Sequence, residues 1–231
     1  MLSSGTAFAA TPEEFLPVDE DYTVTFSQDE ITDVDELIDL ALKQFEQRPA
    51  TYDDNSTPGL IATQVLEERE YNNGKKEQEI LQTNILFVDE DGSPLSPAAI
   101  WEQDRDGTDT GTISNVTATL KFNYIAGVQN SVNYIRPQRV SLQVTKNPSN
   151  YVVSGEYGWN CEADLDGYLQ EDYRTVSKMI TGSVYSWSLS SLGRFDLATP
   201  FAGFGAIAIV NANGRNLELS ILAEKYNDFW N

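Results

Sequence analysis

Between Thr112 and Leu222, apolar or aromatic residues alternate with polar ones in runs of strand length, and turn-forming residues separate the runs. Alternation with a period of two puts one class of side chain on each face of a strand, so such a chain folds as half-buried sheet. The runs are Thr112 to Tyr124, Val132 to Ile135, Arg139 to Thr145, Tyr151 to Trp159, Thr175 to Leu189, Phe201 to Val210 and Leu217 to Leu222. Pro137 marks a bend between the second and third, Asn147-Pro148-Ser149-Asn150 is a turn, and Asn213-Gly214 closes a final hairpin. The pattern predicts a mostly β fold, an antiparallel sandwich-like stack of sheets.

The first half adds one helix to that stack. Val34, Ile38, Ala41 and Phe45 recur at helical spacing, and Leu37 and Leu42 widen the stripe. Thr32 stands at the N-cap position, Asp33, Asp35 and Glu36 fill the first turn, and Pro49 ends the helix. Its apolar stripe is expected to pack on the sheet. Tyr22 to Phe26 reads as a short strand ahead of it. After the loop at 50–59 comes a long hairpin, Leu60 to Glu70 and Glu77 to Val88, turned by Asn73-Gly74. Its tip carries Glu67, Glu68, Arg69, Glu70, Lys75, Lys76, Glu77 and Glu79, and is expected to stand in solvent. A helix and a hairpin bury too little to stand alone, so residues 11–231 read as one domain behind a leader at 1–10.

Charge divides that domain. The chain carries −21 overall. Residues 1–110 hold 6 basic and 26 acidic residues, whereas 111–231 hold 9 and 10, so the domain pairs an acidic part with a near-neutral one. Such a chain repels nucleic-acid phosphates and anionic membranes, leaving protein, glycan or cation partners. No apolar run reaches the roughly 18–20 residues that span a bilayer, so membrane insertion is not expected. There is no histidine, which removes Ser-His-Asp and Cys-His catalysis and His-ligated metals together. The lone cysteine, Cys161, forms no internal disulfide and reads as a small apolar residue.

The opening residues speak to compartment. Ala7-Phe8-Ala9 matches the small-x-small pattern read by signal peptidase, and the chain turns acidic just beyond it. Residues 1–10 therefore read as the end of a signal peptide or as a disordered leader, and the expected location is extracellular or at the cell surface. Together with the Asn73-Gly74 hairpin and the strands of 112–222, this layout resembles uncharacterised exported β-rich proteins of Gram-positive bacteria. The resemblance implies architecture and export, and no activity.

Two places could carry chemistry. Asp104, Asp106 and Asp109 alternate on a glycine-bearing turn as at the start of a calcium loop, and Asp89 and Asp91 could complete an oxygen shell for Ca²⁺. Asn115 stands where an EF-hand would need its twelfth-position carboxylate, and the competing reading is an ordinary acidic turn. The second place is aromatic. Tyr157 shares a strand face with Trp159, and Tyr185 shares one with Trp187. Exposed, those rings would offer sugars a platform; turned inward, they are core. The leading expectation is an exported non-catalytic protein with an interaction or structural role. The alternatives are a carbohydrate-binding module with structural calcium and, behind it, a glycoside hydrolase using a carboxylate pair.

Overall fold

The computed structural model describes residues 21–47, 59–88, 93–95, 116–146, 153–165, 168–179, 184–197, 203–212 and 215–223; for 153–165 and 168–179 the description is of strand path and pairing. The described residues are mostly β: eleven strands and one α-helix. The strands are β1 (Tyr22–Ser27), β2 (Leu60–Tyr71), β3 (Lys76–Val88), β4 (Val116–Gln129), β5 (Val132–Lys146), β6 (Val153–Leu165), β7 (Tyr168–Met179), β8 (Val184–Ser188), β9 (Phe195–Asp196), β10 (Gly203–Ala212) and β11 (Arg215–Ala223), and the helix is α1 (Val34–Gln47). They build a larger sheet ordered β1-β2-β3-β4-β5-β8, with β9 also on β5, and a smaller one ordered β11-β10-β6-β7. Every pairing in both sheets is antiparallel.

β4 shows how alternation becomes burial. Ala118, Leu120, Phe122 and Tyr124 are buried, and all join a core cluster with Phe204, Ala206, Ala208 and Val210 of β10 and Leu217, Leu219 and Ile221 of β11. Phe122 stacks on Tyr124 with ring centres 4.8 Å apart and on Phe204 at 5.6 Å, so one ring joins residues of both sheets. The intervening Thr117, Thr119, Lys121 and Asn123 fall on the opposite, outer face. β3 is buried on both of its faces. Leu86 and Val88 belong to the shared core, whereas Ile85 and Phe87 belong to a second cluster under the helix.

Three strand boundaries differ from those read in the sequence. β5 runs unbroken through Pro137, because a register shift there pairs Tyr124 with Pro137 and Asn123 with Arg139, leaving Gln138 as the extra residue. A bulge absorbs the missing proline N–H without ending the strand. The Thr175 to Leu189 run is divided between β7 in the smaller sheet and β8 in the larger. β4 and β5 meet at Asn130 (φ 53°) and Ser131 (φ 64°), both left-handed, as a type I′ hairpin turn requires. Without a glycine, that turn gave no strong signal. The Asn73-Gly74 turn is as expected, with Gly74 at φ 79° and its N–H bonded to the Tyr71 carbonyl at 2.9 Å.

Helix α1 differs from its reading in two respects. Its N-cap is Asp33, not Thr32: Asp33 Oδ1 accepts from the Asp35 and Glu36 N–H groups at 3.0 and 3.1 Å. Its buried stripe is Leu37, Ile38, Ala41 and Leu42, clustered with Leu60, Ala62, Ile85 and Phe87, whereas Val34 and Phe45 are 45% and 38% exposed. Gln44 anchors the helix by bonding both the N–H and the carbonyl of Thr63, at 2.8 and 2.7 Å. No helix among the described residues is long and apolar enough to cross a membrane.

Candidate functional site

The helix covers the outer face of the larger sheet only at its β2–β3 base. Towards the hairpin tip that face is polar; the expectation of a solvated tip holds for Glu70, Asn72, Asn73, Gly74 and Lys76, which are exposed, and fails for Glu77. Glu77 is buried, with its side chain 1% exposed. Sheet register explains why. Glu77 lies opposite Arg69 on one side and Gly127 on the other, and Gly127 in turn lies opposite Tyr134. A carboxylate in that position leaves water and needs compensating partners.

It has four. Tyr134 donates its hydroxyl to Glu77 Oε1 at 2.5 Å and Tyr71 donates to Oε2 at 2.6 Å. The Arg136 Nη2 donates to both oxygens at 2.9 Å, and Lys75 Nζ lies 3.5 Å away. The Lys75 ammonium also stands 3.9 Å from the Tyr71 ring centre, and the Arg194 guanidinium 3.9 Å from that of Tyr134. One carboxylate thus ties together β2, β3, β5 and the tip turn.

The electrostatics follow from these contacts. Burial pushes the Glu77 carboxyl up, but the hydroxyls of Tyr134 and Tyr71, then the charges of Arg136 and Lys75, bring it below its ordinary value. Burial and the hydrogen bond to Glu77 push the Tyr71 phenol up to about 12, and the same causes raise Tyr134 further. Glu77 is therefore an ionised acceptor and the tyrosines are neutral donors. A carboxylate with every lone pair engaged is a poor general base. The cluster is a structural centre beside which a surface can be held rigid.

Gly127 makes the centre possible. A Cβ there would lie 2.3 Å from Tyr134 Cζ and 2.4 Å from its hydroxyl oxygen. Gly127→Ala is expected to cost about 2 kcal/mol through overpacking of a ring already held by Glu77 and Arg194. Urea unfolding of the four members of a cycle with Tyr134→Ala checks this: the penalty should nearly vanish once the ring is gone. An equal cost in both backgrounds would place the strain elsewhere.

Beside this centre lies an open groove of about 770 Å³ across β3, β4, β5 and β8, with Leu81 and Ile125 among its apolar lining and Asn123, Ser141 and Ser188 among its polar lining. Its carboxylates are already engaged. Glu30 bonds Lys121 at 2.6 Å, and Glu79 accepts from Asn123 at 3.2 Å and meets Arg69 at 3.5 Å. Arg139 also lines the groove; it is exposed, and its guanidinium makes no ion pair or hydrogen bond among the described residues.

Tyr185 and Trp187 sit opposite Leu142 and Val140 and pack, half-buried, against the core shared by the two sheets. Tyr157 and Trp159 hold register positions opposite Ala208 and Ala206 on β6, and their side chains lie outside the description. Asp89, Asp91, Asp104, Asp106 and Asp109 all lie outside the described residues. Among the described residues no three acidic or cysteine side chains are grouped as a metal site would need. Neither Glu77 nor Arg139 stood out beforehand, since charge in a strand does not reveal its cross-strand partners. Compared with protein-family models, curated proteins and solved structures, the chain has no significant match.

Proposed function

We propose that the chain is an exported, non-catalytic interaction protein, its two sheets and helix stacked as a sandwich, that meets its partner through the outer groove of the larger sheet. One observation carries this reading: the groove presents the guanidinium of Arg139, which has no partner among the described residues, while its carboxylates are engaged by Lys121, Arg69 and Asn123. A free guanidinium with amides and hydroxyls around it suits recognition of an oxygen-rich group, because its fork donates to two acceptors at once. Engaged carboxylates suit neither half of an acid–base pair. Export and a surface location rest on the Ala7-Phe8-Ala9 pattern.

A glycan partner is the second reading, favoured by Asn123, Ser141 and Ser188 over the aliphatic side chains of Leu81 and Ile125. Glycan and peptide arrays probed with the full chain and with Arg139→Ala test both. Binding is expected to weaken about tenfold in the variant, equivalent to about 1.4 kcal/mol. Ligands held equally by Arg139→Ala would remove the groove from the reading, and turnover of an array ligand would remove its non-catalytic part.

A further inference from the structure

We infer that the free edge of β1 is a second interaction surface, which takes an extended, basic peptide segment as an added strand. β1 pairs with β2 alone among the described strands and ends the larger sheet. All six of its residues are exposed, and Tyr22, Val24 and Phe26 are 50%, 46% and 41% exposed. The far side of an edge strand presents unpaired backbone N–H and C=O groups, and natural sheets guard such edges with short strands, lysine, proline, a β-bulge or a cover. Tyr22-Thr23-Val24-Thr25-Phe26-Ser27 has neither lysine nor proline. A single register shift between Val24 and Phe26 is its one irregularity.

The surrounding charge selects the occupant. Asp21 precedes the strand, Asp29 and Glu30 follow it, and Glu67, Glu68 and Glu70 lie in register beside it on β2. Arg69, Lys76 and Lys121 pair with Glu67, Glu70 and Glu30, which still leaves the neighbourhood net negative. A second copy pairing antiparallel through β1 would bring these carboxylates against their own kind, in chains that each carry −21. A strand that alternates apolar residues with lysine or arginine meets the opposite condition. Its apolar side chains would lie against Tyr22 and Val24, and its cations near the β2 glutamates. Backbone bonds give such strand addition its affinity and the alternating side chains its selectivity.

The probe is a short amidated peptide alternating valine with lysine, set against its valine–glutamate counterpart and a copy N-methylated on alternate residues. With the full chain, the lysine peptide is expected to bind about tenfold tighter than the glutamate peptide at low salt, with an advantage that shrinks as salt rises. Amide exchange should slow at Tyr22–Ser27. Val24→Lys should weaken the lysine peptide about tenfold without shifting the unfolding midpoint, and Val24→Thr should leave binding near the original. The inference fails if both peptides bind equally or not at all, if N-methylation changes nothing, or if protection falls outside β1. It also fails if a concentration-dependent dimer is lost in Val24→Lys, which would make the occupant a second copy.

Discussion

Glu77→Ala is expected to lower the unfolding free energy by about 2–4 kcal/mol, because it leaves the hydroxyls of buried Tyr71 and Tyr134 without their shared acceptor and removes the ion pair of the part-exposed Arg136. Glu77→Gln separates charge from shape. It keeps an acceptor for one hydroxyl but loses the attraction to Arg136 and Lys75, so about half the penalty should remain. Denaturant unfolding of the two variants, with amide exchange across β2, β3 and β5, measures this. A loss below about 1 kcal/mol would mean that the four contacts contribute no more than an exposed ion pair.

The same centre sets a pH signature. Glu77 titrates below its ordinary value of 4.5 when folded, so its contribution is complete above that pH and fades as pH falls through the lower folded value. Tyr71 moves the opposite way, from 10.0 to about 12, and Tyr134 is raised as well. Their contribution is complete below pH 10.0 and is lost as pH rises through the raised folded values. Stability should therefore fall on both flanks. In Glu77→Ala the acid flank loses the part due to this carboxyl. The alkaline flank becomes shallower but persists, since burial still holds the phenols up.

Phe122→Ala is expected to cost about 3–5 kcal/mol, the range for removing a fully enclosed phenyl ring. Phe122 is 0% exposed and stacks both on Tyr124 beside it and on Phe204 of the smaller sheet. The loss should reach across the molecule, because Phe204 also packs against Phe195 at 5.0 Å. Amide exchange in β10 and β11 should accelerate together with that in β4. Phe122→Leu, which keeps most of the volume, should cost about 1.5 kcal/mol or less. Faster exchange in β4 alone would show that the two sheets do not depend on this ring.

The contrast between Phe122 and Glu77 divides what was legible from what was not. Leu120, Phe122 and Tyr124 alternate with Lys121 and Asn123, and a strand with one buried face can satisfy that order in only one way. The β class, the long hairpin and the helix followed from such local rules, as did the turn at Gly74. Local rules also explain the near misses: Asp33 displaced Thr32 because either side chain can cap, and β5 passed Pro137 because a bulge can hide it.

Glu77 obeyed no local rule. In sequence it is one of eight charges around a turn, with Tyr134 57 residues away and Arg136 59 residues away. Whether it meets water or those partners depends on which strands become neighbours, and on a missing Cβ at Gly127 that lets a ring cross β4. Hydrophobic periodicity is a property of consecutive residues, so the amino-acid order alone determined the β class, the long hairpin, the helix and the inward face of β4. Ion pairing and surface exposure are properties of neighbours in space, so only the assembled sheets decided that Glu77 is enclosed and that, among the described residues, Arg139 has no partner and β1 pairs with β2 alone.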